Sequence, residues 1–226
     1  MRTLTISFLI LLSTFLKVSA QKVQERELSP FDKLKITNEI RVYLTQGENE
    51  SARIEVSGIE LEDVITTVTA KTLEISLRRG VYKDISVEVY LTYRELRDIF
   101  VSSSGRASIQ SVLTGDKVVL NAHTGAQIDA QLNLKTMDLI ATKGASVRLK
   151  GKLGSYEATI SSGANLSALE LVADSAFVRA NTKSIAKITA NKLLDAKVRS
   201  GSTLTIEGTP AKKNIKTGLG ATILEQ

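Results

Sequence analysis

Asp138 and Glu157, nineteen residues apart, are the first candidates for chemistry in this sequence, and Asp195 follows at twice that spacing. If equal positions of a repeat stack as neighbouring strands, roughly 4.8 Å apart, the first two carboxylates approach the separation of a retaining glycosidase pair. Such a pair needs a groove, and a repeat free of insertions supplies no long loops to build one. The competing reading is two solvated charges with lysine neighbours. His123 is the one histidine, beside Asn121 and just before Gly125, and there is no Cys. The absence of Cys excludes a thiolate zinc site, a His-based triad or a multi-His metal site is not expected with one His, and His123 reads as a surface turn residue. The calcium signature G-G-x-G-x-D is missing, and acids do not recur at one turn position. No catalytic, cofactor-binding or metal-ligating residues are assigned, and no cofactor is expected.

The 226 residues are 42% hydrophobic but only 4% aromatic, with two Pro and no Trp. Arg2, the apolar run Ile6 to Leu16 and the small residues Val18-Ser19-Ala20 before Gln21 have the layout of a secretory signal peptide over 1–20. No later stretch approaches the roughly 18 apolar residues of a membrane helix. Residues 21–100 carry 12 basic and 15 acidic side chains, whereas 101–226 carry 16 and 9. The basic half has no run beyond Lys212-Lys213 and few aromatics to stack on bases, so nucleic acid is not expected as a partner.

The elements that would position these side chains come from an internal repeat. Stepping by nineteen from Arg106 gives Gly125, Gly144, Gly163, Thr182, Gly201 and Gly220, five of them Gly followed by a small residue. Three positions on stand Ile109, Ile128, Val147, Leu166, Ile185, Leu204 and Ile223; a second column reads Leu120, Leu139, Ala158, Phe177, Ala196 and Ile215. Patches such as Ile128-x-Ala130 and Met137-x-Leu139-x-Ala141 alternate with period two, as strands do. A short strand cannot bury its face alone, but stacked coils align equal positions as apolar ladders. The expected fold is all-β: a right-handed parallel β-helix, or solenoid, of 19-residue coils, about 30 Å long for seven coils. Leucine-rich repeats share the period, but their signature is missing. The Gly corners suit φ > 0, and the next residue is small enough to tuck under the turn.

Upstream, Leu34-x-Ile36, Ile40-x-Val42-x-Leu44, Ile54-x-Val56, Leu73-x-Ile75-x-Leu77 and Ile85-x-Val87-x-Val89 alternate in another register. Ile99 and Val101 fall in phase with Val118 and Leu120. Gln46-Gly-Glu-Asn and Arg79-Gly80 read as hairpin turns. The chain thus divides into a signal peptide (1–20), a flexible lead-in (21–30) and one solenoid domain (31–226), with capping strands over 31–98 and repeats over 99–226.

Phe31-Asp-Lys-Leu-Lys-Ile, Ile40-x-Val-x-Leu-x-Gln-Gly47 and the repeated Ser-Gly-Ala of Ser162-Gly163-Ala164 resemble the DUF2807 family, auto-transporter adhesin head domains of Bacteroidetes-type bacteria. The resemblance implies an exported β-helical protein with an adhesive role and carries no catalytic residues. The expected function is a non-catalytic adhesion or binding module in the periplasm or at the surface of a Gram-negative cell, with a glycan or an envelope or host-surface component as partner. The alternative is a self-associating envelope protein that stacks through the open terminal coil at Gly220–Ile223. A polysaccharide-active enzyme using Asp138 and Glu157 is third.

Overall fold

The computed structural model describes residues 21–226, so the signal-peptide reading of 1–20 lies outside the described residues. Strands β9 (Arg106–His123), β10 (Gln127–Thr142), β11 (Ser146–Ser161), β12 (Asn165–Asn181) and β13 (Ile185–Val198) pair successively and in parallel. The alternation of buried and exposed residues in β10 breaks once, at the adjacent exposed pair Lys135-Thr136. The first half of each long strand therefore joins one sheet strip and the second half another. At the C-terminal end, β14 (Thr203–Glu207) pairs the first half of β13, β15 (Lys212–Thr217) pairs the second half, and β16 (Thr222–Glu225) pairs β14. The result is a β-solenoid of about seven turns.

The corners explain the Gly–small pattern. Thr124-Gly125-Ala126, Lys143-Gly144-Ala145, Ser162-Gly163-Ala164, Thr182-Lys183-Ser184 and Ser200-Gly201-Ser202 each place two residues at φ of 51–73°, followed by a fully buried small one. The second left-handed residue donates its N–H to the first of the next coil: Gly125 to Lys143, Gly144 to Ser162, Gly163 to Thr182, Lys183 to Ser200, at 2.9–3.0 Å. Backbone groups that a turn would otherwise orphan are thus paired along the whole corner. The degenerate copy adds side chains, with Ser184 Oγ–H donating to Ile160 O and lying 3.2 Å from Ser202 Oγ.

The repeat is less regular than its sequence period. The inner column on the first strip is Ala107, Ile128, Val147, Leu166, Ala186, Leu204, Ile223, with steps of 21, 19, 19, 20, 18 and 19 residues. On the second strip it is Leu120, Leu139, Ala158, Val178, Ala196, Ile215. The expectation of a repeat without insertions is therefore corrected. A two-residue bulge sits in β9 opposite Ala130, and one extra residue sits in β12 between Ser167 and Leu171. A one-residue slip turns a side chain to the other face. Phe177 and Ile185, expected inside, stand 39% and 42% exposed, while Val178 and Ala186 take their places. Ile109 lies in the bulge and faces Leu44 rather than the Ile128 column.

The N-terminal half continues both strips out of sequence order. β2 (Lys33–Ile36) lies between β6 (Thr72–Leu77) and β8 (Asp98–Val101), all parallel, and β8 continues into the second half of β9. β3 (Arg41–Gln46) lies between β7 (Ser86–Tyr93) and the first half of β9. The coil made first in sequence is thus internal. Outside it, β4 (Ser51–Ser57) covers β7 and β5 (Val64–Thr69) covers β6, both antiparallel. Two expected hairpins are therefore corrected: Gln46–Asn49 steps over β7 from β3 to β4, and Arg79-Gly80 leads from one strip to the other. The actual hairpin turn is Ala70-Lys71, both at positive φ, between β5 and β6. Ile99 and Val101 pair with Leu120 and Ala122, not Val118 and Leu120, because the bulge lengthens the step.

The flexible lead-in is also corrected: β1 (Lys22–Glu27) is an edge strand antiparallel to β4. Its residues KVQERE lack apolar alternation because the strand has no core face to fill, and its charges protect the edge. Arg26 reaches from β1 to the second strip, donating to Val64 O (2.6 Å), Leu61 O (2.8 Å) and Thr66 Oγ1 (2.9 Å). At the opposite end Lys213 and Glu225, in the inner columns of Leu194 and Ile206, pair across the strips at 2.8 Å.

Gly151 and Gly144 both have positive φ, but a Cβ on Gly151 would lie 2.1 Å from Leu132 O whereas one on Gly144 meets nothing within 4 Å. Gly144→Ala should therefore cost about 1 kcal/mol, from backbone strain alone. Gly151→Ala should cost roughly 3 kcal/mol or more. Urea melts of the two variants measure this, and equal losses would refute the close approach.

Candidate functional site

The register brings Asp138 and Glu157 side by side, as the nineteen-residue spacing implies. Phe177 takes the next place in that outward row, followed by Asp195 and Asn214. Each carboxylate already has a base: Lys117 Nζ lies 2.6 Å from Asp138, and Arg179 pairs with Glu157. Asp195 accepts from Asn214 Nδ2 at 2.7 Å. This is a solvated, charge-matched strand face, in which each carboxylate is already engaged by a neighbour.

His123 stacks on Phe100, with ring centroids 5.2 Å apart and planes at 25°. Partial burial, helped by the nearby Lys143 ammonium, holds the imidazole below its ordinary pKa. Among the described residues no group of three or more His, Cys, Asp or Glu stands ready to hold a metal ion.

The bulges make the surface that sequence spacing did not reveal. On the outward face of the first strip, the extra residues of β9 and β12 flank a cavity of about 340 Å³. Bulges re-aim side chains and recur beside functional sites. Ser108, Gln110, Asp129, Arg148, Lys150 and Glu170 line it. Arg148 Nη1 donates to Asp129 Oδ1 at 2.6 Å, and Gln110 Nε2 donates to Ser108 Oγ at 2.8 Å. Two acids and two bases leave the lining electrically balanced. Arg148 and Lys187 share one outward row with Ser167 between them. Larger hollows of about 650 and 570 Å³ lie around Pro30, between loop ends.

The row through this cavity continues into an aromatic ladder. Arg53, Tyr90, Tyr43, Ser108, Asp129 and Arg148 are successive cross-strand neighbours. Tyr43 and Tyr90 stack with centroids 5.1 Å apart, and the Arg53 guanidinium lies 5.6 Å over the outer face of the pair, at Tyr90. Tyr90 O–H donates to the Glu88 carboxylate, which raises the phenol pKa, with smaller contributions from burial and nearby charge. On the second strip, Arg179, Lys197 and Lys216 form a basic row that is invisible along the chain because its members lie 18–19 residues apart.

With the geometry in place, the family model described as "Putative auto-transporter adhesin, head GIN domain" matches residues 30–210. The chain belongs to the DUF2807 family. No curated protein matches it. The fold of this DUF2807 chain is similar to that of a putative adhesin from Bacteroides fragilis, with TM-score 0.84 at 19% identity over 92% of this chain and 97% of the other. A putative adhesin from Parabacteroides distasonis gives 0.71 at 17% identity, covering 92% and 98%. A protein from the same species described as a putative lipid binding protein gives 0.67 at 12% identity, covering 91% and 96%. At these identities the likeness concerns the fold alone.

Desolvation dominates the depression of His123, so removing its stacking partner should raise its pKa. In Phe100→Ala the imidazole should titrate closer to 6.5 by NMR than in the parent. Because the folded-state pKa is lowered, the unfolded chain binds the extra proton first, and stability falls as pH drops below about 6.5. A parent His123 titrating at or above 6.5 would contradict the described packing.

Proposed function

We propose that this chain is an exported, non-catalytic binding module of the cell envelope, acting in the periplasm or at the surface of a Gram-negative cell. The observation that carries the reading is the bulge-flanked cavity, an irregularity in an otherwise repetitive rod. A rod built only to be stiff has no use for two insertions that spoil its period, in β9 and in β12, on either side of one patch of its surface. The family description supports an adhesive role, and the charge-matched setting of Asp138 and Glu157 supports binding without turnover. No helix among the described residues is long and apolar enough to cross a membrane. The partner in this reading is a surface or envelope component, and nucleic acid is not among the partners. Epitope-tagged chain on intact cells, beside a periplasmic control, tests the address. Labelling of intact cells is the adhesin outcome. Labelling only after the outer membrane is opened would overturn surface adhesion and leave a periplasmic binder.

A self-associating envelope protein is the second reading, favoured by Leu219 and Leu224, which stand 92% and 47% exposed on the terminal coil. The Lys213–Glu225 pair opposes it, since inward-pointing charges at a sheet end discourage another copy from docking. The parent should elute from gel filtration at one size across a hundredfold range of concentration. Lys213→Met with Glu225→Met should associate in a concentration-dependent way. A parent that associates on its own, and stops when 220–226 are removed, would reverse the order of the two readings.

A further inference from the structure

We infer that the cavity whose lining begins at Ser108, one strand from Tyr43, is a subsite for one ring of a neutral glycan that stacks on the side of Tyr43 turned away from Tyr90. The inference rests on the binding-module reading and names its ligand class. In the ladder Arg53–Tyr90–Tyr43, stacking follows the strand spacing and one end is closed by the guanidinium. The neighbour of Tyr43 on the other side is Ser108, which carries only a hydroxymethyl group. From the Tyr43 column to the Asp129 column is two strand spacings, roughly 9–10 Å. A saturated six-membered ring packed about 4.5–5 Å from the tyrosine fits that gap, with hydrogen-bonding reach left to the groups beyond it.

Those groups suit hydroxyls. Asp129 and Glu170 accept, Arg148 and Lys150 donate, and Gln110 and Ser108 do both, all lining one cavity. Sugar hydroxyls also donate and accept, and a sugar ring presents C–H groups to an aromatic face. The balanced charge of the lining argues against a polyanion, which would draw its affinity from unpaired basic side chains. A volume of about 340 Å³ lies at the small end of the ~300–1,000 Å³ range of small-molecule sites, so the subsite takes one or two sugar units of a longer chain. The open, strip-like surface lets the rest of such a chain run on across the solenoid.

The chain has five Tyr and no Trp, so its intrinsic emission comes from tyrosine alone, two of the five in the ladder, and the loss of signal change in Tyr43→Ala identifies the ladder's share. The experiment titrates the chain from residue 21 with maltohexaose, cellohexaose, laminarihexaose and mannohexaose, and with a heparin hexasaccharide and a thymidine decamer as polyanions. One neutral hexaose should bind saturably and change the emission. Tyr43→Ala should weaken it at least tenfold, Tyr43→Phe should keep it within about threefold, and Phe177→Ala on the other strip should not affect it. Ser108→Tyr, which extends the ladder into the gap, should abolish binding while leaving the urea midpoint at or above that of the parent. Neutral binding unaffected by Tyr43→Ala and Ser108→Tyr would overturn this subsite while the binding-module reading stands. Binding of the polyanions alone, or of no probe, would overturn the neutral-ring assignment. Intact-cell labelling decides the module reading independently.

Discussion

Parallel strand register is the constraint on which the rest of this structure depends. Each coil hydrogen-bonds to the next, so equivalent side chains stand one strand spacing apart for the length of the rod. Inside, the column from Leu73 through Leu34, Ile99, Leu120, Leu139, Ala158, Val178 and Ala196 to Ile215 is a single apolar ladder crossing nine strand segments. Burying each large aliphatic side chain contributes roughly 1.5–3 kcal/mol, and a one-residue slip would turn a whole strand's worth to solvent. Register therefore outranks sequence period. Where the chain has an extra residue, a bulge absorbs it and the columns stay aligned.

A ladder of this kind has two ends, and each presents open backbone and apolar side chains. The protein treats both alike. Arg26 spans the two strips at the N-terminal end, and the Lys213–Glu225 pair spans them at the C-terminal end. At the first end β1, β4 and β5 also turn the sheet antiparallel, which breaks the pattern that another parallel coil would have to match. The two ends are therefore closed by different backbone devices and by the same side-chain idea, a long basic residue laid across the mouth of the core.

Much of this was legible in the sequence because the interior ladder imposes its period on the chain. The corners showed as Gly125, Gly144, Gly163 and Gly201, since left-handed backbone followed by a fully buried residue selects Gly and then Ala or Ser. Other features were hidden for identifiable reasons. The one-residue gain in β12 is cancelled within β13, where the step from Val178 to Ala196 is 18 residues, so the nineteen-residue period is back in phase at Ala196 and misplaces Phe177, Thr182 and Ile185 before it. β1 has no core face, so hydrophobic periodicity gives it no signal. The jump of β2 and β3 into an internal coil is a matter of strand order, which local patterns do not encode. The candidate cavity escaped for the same reason as the bulges that flank it.

Outside, the same register makes a surface of rows rather than of loops. A row is chemically informative where its members depart from the solvated, charge-matched pattern set by Lys117 with Asp138 and Lys192 with Asp174. Two rows depart. One holds Arg179, Lys197 and Lys216, and Arg179 within it is already engaged by Glu157. The other holds Arg53, Tyr90 and Tyr43, with two of the chain's few aromatic residues on solvent-facing positions of a sheet. The interior is narrow and is filled chiefly by Ala, Val, Ile and Leu. Tyr156 shows what a larger group costs there: it is buried, its hydroxyl has no partner, and desolvation drives its pKa far above the usual phenol range. A register slip turns Phe177 outward, but no such slip acts at Tyr43 or Tyr90, and an exposed ring adds little to a core already closed. The position of Tyr43 and Tyr90 in a row that runs into the bulge-flanked cavity is better accounted for by what that row contacts than by what it stabilises.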